Sequence, residues 1–382
     1  MKLAGRSGRY VRQPQGYSAF IPASLPPNPA VVMDDAMLAL ISQSDRALGR
    51  LDGSIQTLPD PDLFVFMYIR KEAVLSSQIE GTQSSLDDVL EAEAKVFRAS
   101  RPRDVNEVIN YVRAMNHGLA RLQELPVSVR LIKEIHQRLL TGVRGAEREP
   151  GELRRSQNWI GPAGCTLHEA SYVPPPMEEL PKALSELEQF IHSDNPMPAL
   201  VRIGLAHTQF ETIHPFLDGN GRIGRLLITL LLCERRILHK PVLYISHYFR
   251  RHRDRYYALL QGTRDDGDWE SWLKFFLGAV SEVSDEATET ARRIVDLRER
   301  HRGIITEHFG YAAGNGLKVL ERLYSRPIIS VQDVVKLTKV SFTAANNLTR
   351  RFVKHRILTE ITGQARNRLF RYGQYIDLFA DR

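Results

Sequence analysis

The stretch His214-Pro215-Phe216-Leu217-Asp218-Gly219-Asn220-Gly221-Arg222-Ile223-Gly224-Arg225 sets a proton acceptor, a carboxylate, a Gly-Asn-Gly turn and two arginines side by side, and an apolar run, Leu226 to Leu232, follows at once. The run predicts a buried helix, so the polar groups fall in the loop and first turn at its N-terminus. There the backbone N–H groups lack partners within the helix and the helix dipole favours an anion. Glycines let such a backbone close around phosphate oxygens. His214 is a candidate general base because an imidazole titrates near neutrality. Asp218 is the one carboxylate of the loop and suits a hard cation such as Mg2+. The N–H groups around Gly219, Asn220 and Gly221 form the expected phosphate cradle. Arg222 and Arg225, three apart on the new helix, share a face and carry the planar guanidinium that fits phosphate oxygens. Phe216 reads as a core anchor of the loop, and Pro215 stiffens its entry. Each residue alone has an ordinary explanation as a turn, a solvated arginine or a core histidine; the order of all of them together does not.

This string resembles the His-Pro-Phe-x-Asp/Glu-Gly-Asn-Gly-Arg-x-x-Arg pattern of the Fic family at every defined position. The resemblance implies a protein adenylyltransferase that moves AMP from ATP to a Ser, Thr or Tyr hydroxyl of target proteins and of itself. It places Mg2+ on Asp218 and the far end of the triphosphate on Arg225. Relatives that transfer the terminal phosphate, the Doc toxins, carry lysine where this chain has Gly221. A phosphotransferase of the same fold is one alternative. The residues by themselves admit other nucleoside triphosphates.

Far upstream, Ser76-Ser77-Gln78-Ile79-Glu80-Gly81 closes a run of helical periodicity from Pro61. Gly81 is a good residue just past a helix C-terminus. Ser76 and Glu80 share a face, and Glu80 stands at the negative end of the dipole, where a carboxylate needs a cationic partner. The segment resembles the Ser/Thr-x-x-x-Glu-Gly/Asn inhibitory motif of autoinhibited Fic proteins, which implies that Glu80 pairs with Arg225. One arginine then faces two anions, Glu80 or the outer phosphate.

Between 152 and 173 the texture changes. Glycine and proline near Gly161 to Gly164 predict a hairpin, which resembles the flap that registers a target segment by strand-like pairing. Tyr248, Tyr256 and Tyr257 fall in a predicted helix, and by resemblance Tyr256 lies near the nucleoside. Periodicity predicts further helices near 34–55, 61–80, 84–97, 104–123, 127–141, 177–194, 197–211, 222–236, 250–261 and 268–302. The expected fold is mainly α: an N-terminal region over 1–100 with an inhibitory helix at 61–81, a catalytic core over 101–305, and a winged helix-turn-helix over 310–382. The last is read from three short helices (317–324, 330–337, 341–355) and a hairpin over 357–372.

The 382 residues carry a net charge of +7. From Gly310 onward there are 13 Lys or Arg against 5 Asp or Glu, net +8, which leaves the remainder at −1. The cations gather on the third helix (Arg350, Arg351, Lys354, Arg356) and the wing (Arg366, Arg368, Arg371). That is a footprint for DNA phosphates. A solvated basic face, or a surface for a second copy or a target protein, is the other reading. A nucleotide-sensing transcriptional regulator is accordingly the second alternative function. No apolar run reaches membrane-spanning length. Met1 to Phe20 is arginine-rich without the apolar core of a secretion signal, and its glycines spoil the helix of a transit peptide. Two cysteines, Cys165 and Cys233, are too few for a disulfide framework or a cysteine metal site, so a reducing cytoplasm, which also supplies ATP, is the expected compartment.

Overall fold

The computed structural model describes residues 5–56, 61–96, 100–162 and 164–380, with every side chain among them except those of Leu63 and Phe64. Two elements were not expected from the sequence. Strands β1 (Gly8–Arg12) and β2 (Ser18–Pro22) form an antiparallel hairpin with Tyr10 opposite Phe20. It is pinned by Arg6, whose guanidinium donates to both carboxylate oxygens of Glu270 at 3.0 Å. The Phe20 N–H donates to Val173 O (2.9 Å), which sets the hairpin beside the flap.

Ten helices come next among the described residues, ahead of a long eleventh. They are α1 (Asp35–Gln56), α2 (Pro61–Ile79), α3 (Leu86–Glu93), α4 (Val105–Arg121), α5 (Val129–Leu139), α6 (Leu180–His192), α7 (Ala199–Ile213), α8 (Asn220–Glu234), α9 (Ser246–Arg251) and α10 (Arg253–Asp266). The expected helix 84–97 ends at Glu93, and its last predicted residue, Phe97, lies outside the described residues. Helix α11 (Trp269–His308) runs six residues past its expected end. Helix α1 lies parallel to its first half, with the Ser44 hydroxyl donating to Leu277 O at 2.8 Å. Helices α2, α7 and α8 are buried on nearly all sides, as helices apolar all round must be. Among the described residues no helix is long and apolar enough to cross a membrane.

The C-terminal segment comprises α12 (Ala313–Ser325), β3 (Ile328–Ser330), α13 (Val331–Thr338), α14 (Phe342–Lys354), β4 (Thr359–Glu360), β5 (Leu369–Arg371) and α15 (Gly373–Ile376). Its sheet order is β3-β5-β4, so the expected hairpin gains a third strand. A three-residue strand whose partner lies some forty residues away leaves no local periodicity. Residues 310–316, expected to open the C-terminal domain, form a 3-10 turn (Gly310–Ala312) and the first turn of α12, which packs back on α11 at Gly316. A Cβ on Gly316 would stand 2.8 Å from Ile305 Cγ2 and 3.0 Å from Phe309 Cδ2. The segment shares one apolar core with the rest of the chain. Phe379 packs edge-on against Tyr68 of α2 (5.2 Å), the Tyr372 hydroxyl meets His301 Nδ1 (2.8 Å), and Arg371 pairs with Asp87 (3.0 Å).

Phe309 is fully buried and packs edge-on to Phe352 at 5.1 Å, joining α11 to α14. Phe309→Ala is expected to lower unfolding free energy by roughly 3–5 kcal/mol. All three tryptophans lie before residue 310. Urea transitions followed by tryptophan fluorescence and by far-ultraviolet dichroism should therefore shift together; separated transitions would mean that the C-terminal segment unfolds on its own.

Candidate active site

Helix α7 ends in a left-handed residue, His214 (φ 49°, ψ 60°), and α8 begins after a second left-handed residue, Gly219 (φ 78°). The helix starts at Asn220, two residues earlier than expected, so Asn220, Gly221 and Arg222 form its first turn and their N–H groups have no acceptor within it. The intervening loop is held from inside. The Phe216 N–H donates to Asn220 Oδ1 (2.9 Å) and Asn220 Nδ2 donates to Phe216 O (2.8 Å).

It is also held from outside by a residue the sequence did not single out. His136 of α5 stacks on Phe216 with ring centroids 3.8 Å apart. Its Nδ1 accepts from the Gly151 N–H (2.9 Å), so Nε2 carries the proton and donates to Asp218 O (3.0 Å). Burial drives its pKa down to about 4, which keeps this tautomer neutral. One histidine among the apolar residues of an amphipathic helix gives no signal of this role.

His214 is only partly covered. The desolvating surroundings, with Arg264 and Arg154 nearby, push its pKa down to about 3, so the imidazole is neutral. Its Nδ1 faces Glu211 O at 3.4 Å, which leaves Nε2 as the acceptor. Its carbonyl accepts from Arg154 Nε (3.1 Å) and Asn158 Nδ2 (3.2 Å). Arg154 also donates to Pro175 O, so one buried guanidinium ties both ends of the flap to the catalytic loop.

The flap itself is less regular than the hairpin expected over 152–173. It has one antiparallel bridge, Ile160 with Tyr172, and a 3-10 turn at Leu167–Glu169. Pro162 and Pro174 to Pro176 have no N–H with which to extend a ladder. Ala163, at its expected turn, lies outside the described residues. Tyr172 fixes the base: its hydroxyl donates to Thr212 O (2.7 Å) and Arg264 covers its ring.

Arg225 is fully buried. Its Nε donates to Ser76 Oγ (2.9 Å), and Nη2 donates to Ser76 O (3.0 Å) and Glu80 Oε1 (2.6 Å). Ser76 and Glu80 thus meet Arg225 together, with Gly81 ending the helix in the left-handed region (φ +95°). Burial raises the Glu80 pKa, but Arg225 outweighs it, with help from Arg222, and the carboxyl ends below its ordinary value. Arg222 points elsewhere. Its Nη1 donates to Glu107 Oε2 (3.3 Å) and its Nη2 to Asp218 Oδ1 (3.4 Å), so the two arginines do not converge on one ligand.

Tyr256 is fully enclosed, and its hydroxyl meets Nε2 of the buried His207 (2.9 Å). His207 Nδ1 faces Gly224 O, so it carries the proton, and Tyr256 donates to Nε2. Tyr256 is therefore spent on the core beneath α8, and the exposed ring at this helix is that of Tyr257. Two buried carboxyls were also not foreseen. Glu72 accepts from the Ser246 N–H and hydroxyl and from Tyr111, which fixes α2 against α9. Glu211 Oε1 has no hydrogen-bond partner and lies against Gly224, where a Cβ would overlap it. Burial raises the Glu211 pKa from 4.5 to about 7, against the opposing pull of Arg225.

A carboxyl with a raised folded pKa contributes stability that is complete below its unfolded pKa and lost as pH rises through the folded one. The Glu211 contribution should therefore fade between about pH 4.5 and 7. Thermal unfolding of the native chain and of Glu211→Gln should diverge as pH rises from 5 to 8, with the variant losing less. Parallel pH profiles would show that Glu211 does not titrate in that window. Glu72 is pushed up to about 7 by burial as well, so only the difference between the two proteins reports on Glu211.

Residues 38–120 match the Fic/DOC family N-terminal model and residues 126–232 the Fic/DOC family model. Similar curated proteins include the Protein adenylyltransferase Fic of Drosophila willistoni, 29% identical over 232 residues, 55% of this chain and 43% of that protein. That of Drosophila grimshawi is 31% identical over 183 residues, 47% of this chain and 34% of that protein. The chain thus spans less than half the length of these relatives. Among solved structures, a Fic family protein from Desulfovibrio desulfuricans aligns with a TM-score of 0.58 at 20% identity, covering 90% of this chain and 97% of that one, a likeness of fold. With both matched segments meeting at the Ser76–Glu80–Arg225 contact, the chain belongs to the Fic/DOC family.

Proposed function

We propose that the chain is a protein adenylyltransferase that moves AMP from ATP to a Ser, Thr or Tyr hydroxyl of a target protein and of itself, held back by Glu80. The observation that carries this reading is the buried Arg225, shared by Ser76 and Glu80 near the N-terminus of α8, with Glu80 in electrostatic reach of His214. In the reaction the target oxygen attacks the α-phosphorus, the bond to the β-phosphate oxygen breaks, and pyrophosphate leaves. His214 Nε2 takes the hydroxyl proton. The N–H groups of Asn220, Gly221 and Arg222, aligned with the helix dipole, hold phosphate oxygens as charge builds. Arg225 holds the outermost phosphate once Glu80 withdraws.

Asp218 fits a role as protein ligand for Mg2+. It is partly exposed, and its Oδ2 faces Gly145 so closely that a Cβ there would stand 2.8 Å away. Among the described residues no group of three or more His, Cys, Asp or Glu could hold a metal. Mg2+ needs none, since it binds through one or two carboxylates with substrate phosphates and water. The ion, when bound, neutralises charge on the phosphates.

Gly221 favours adenylyl over phosphoryl transfer. A Cβ there would overlap Glu80 Oε1 and stand 3.0 Å from Arg225 Nη1, so a lysine has no room while the pair is formed. The target's place is the outer edge of the flap. Val173 is taken by Phe20 and Tyr172 by Ile160, which leaves the backbone groups of Trp159 and Gly161, on either side of the bridged Ile160, for a strand-like target segment.

A charged hydrogen bond contributes roughly 1.5–3 kcal/mol, equivalent to about ten- to a hundredfold in productive binding. Glu80→Gly should raise transfer of α-labelled ATP onto protein by about that factor, and γ-labelled ATP should leave no label. Retained γ label would establish phosphorylation instead, and an unchanged rate would remove Glu80 from the switch. His214→Ala should cut transfer by about a hundredfold or more while Mg-ATP still binds. Because Glu80→Gly leaves Arg225 buried without its carboxylate, Mg-ATP should raise the melting temperature of that variant more than that of the native chain. An equal rise would place the triphosphate away from Arg225.

A further inference from the structure

The C-terminal segment holds a second site that adenylyl transfer does not use. Helices α13 and α14 are joined by a tight turn whose Lys339 is left-handed (φ 57°) and donates its N–H to Val335 O (2.8 Å). Helix α14 is capped by Ser341, whose hydroxyl accepts from the Ala344 N–H. Between α14, the β4–β5 wing and the N-terminus of α13 lies a groove of about 960 Å3. Four cations line it, Lys95, Arg350, Arg366 and Arg368, and no carboxylate does. Lys95 comes from the far end of α3, a contribution the sequence gave no reason to expect.

Several surface cations elsewhere are matched. Arg50 pairs with Asp285, Lys133 with Glu152, Lys274 with Asp34, and Arg298 with Glu321. The groove, by contrast, gathers four cations with no carboxylate among its lining residues. Its geometry is also braced: Arg368 donates to Asn346 Oδ1 (2.8 Å), which locks the wing to α14.

The footprint differs from the one read off the sequence. Arg351 donates to Phe309 O and lies over Tyr311, and Arg371 is held by Asp87 and Asp377. Those two arginines are structural. Arg350, Lys354 and Arg366 stay exposed, and α14 presents Phe342, Thr343 and Asn347 to solvent at its N-terminal half. An exposed helix bearing an amide and a hydroxyl, flanked by cations on itself and on a wing, fits a major groove with phosphates on either side. The deep, narrow major groove of A-form RNA does not admit a helix.

We propose that the groove between α14 and the wing binds B-form duplex DNA, with α14 in the major groove and Arg350, Arg366 and Lys95 on the phosphates. The site stands apart from the nucleotide pocket, so it holds or fails independently of the transfer activity.

The test measures fluorescence anisotropy of a fluorescein-labelled random-sequence DNA duplex with the full chain over a series of salt concentrations. Affinity is expected to fall linearly with salt on logarithmic axes. Arg350→Ala with Arg366→Ala should make that slope shallower by about two and weaken binding by about ten- to a hundredfold at physiological salt. Lys182→Ala, an exposed change on α6, should leave both unchanged. All the substituted residues are exposed, and matching melting temperatures verify that the fold is kept. Absence of binding by the native chain at low salt, an unaltered slope in the double variant, or tighter binding to an RNA duplex or single strand would each overturn the assignment.

Discussion

The active site is organised around one buried cation. Taking a guanidinium out of water costs several kcal/mol unless its donors are all engaged, and Arg225 is engaged by a helix it meets only in the folded chain. Ser76 supplies a hydroxyl and a carbonyl, and Glu80 supplies the charge. Helix α2 is in turn held in place by Glu72 against α9 and by Tyr68 against α11. The Arg225 contact is therefore a joint between two halves of the molecule as well as part of the proposed phosphate site. Its carboxylate is the one member a nucleotide can replace with another anion.

The second constraint is the shape of the loop between α7 and α8. Two left-handed residues bracket it, Asn220 closes it from within, and His136 clamps it to the residue that begins the flap. Arg154 then ties the flap to the carbonyl of His214. The proposed proton acceptor, phosphate cradle and target-facing edge are thus set by one connected group of buried hydrogen bonds. Rigid positioning of this kind is what in-line transfer requires of a protein that makes no covalent bond to its substrate.

Several residues chosen for their chemical type are engaged by other parts of the fold. Tyr256 donates to His207 in the core; Arg222 is occupied by Glu107 and Asp218; Arg351 and Arg371 brace the C-terminal segment. The reverse also happened, since His136, Glu211 and Lys95 looked unremarkable in the chain and stand at sites. Type and spacing show which residues share a helix face. They do not show which neighbour that face meets, and for an arginine or a tyrosine the neighbour decides between ligand and strut.

What the sequence determined by itself was whatever depends on nearby residues. The long helices, the buried run after Arg225, the turn at Gly81 and the glycine-bearing loop follow from periodicity and backbone preference, and the ordered polar residues from 214 to 225 were legible as the phosphate site proposed above. Only tertiary structure decided that Glu80 reaches Arg225, that β3 joins a sheet with β5, and that the flap keeps a single bridge. Each of these is a contact between segments distant in the chain. Its free energy comes from burial and pairing that exist only after folding, so it leaves no periodic trace along the sequence.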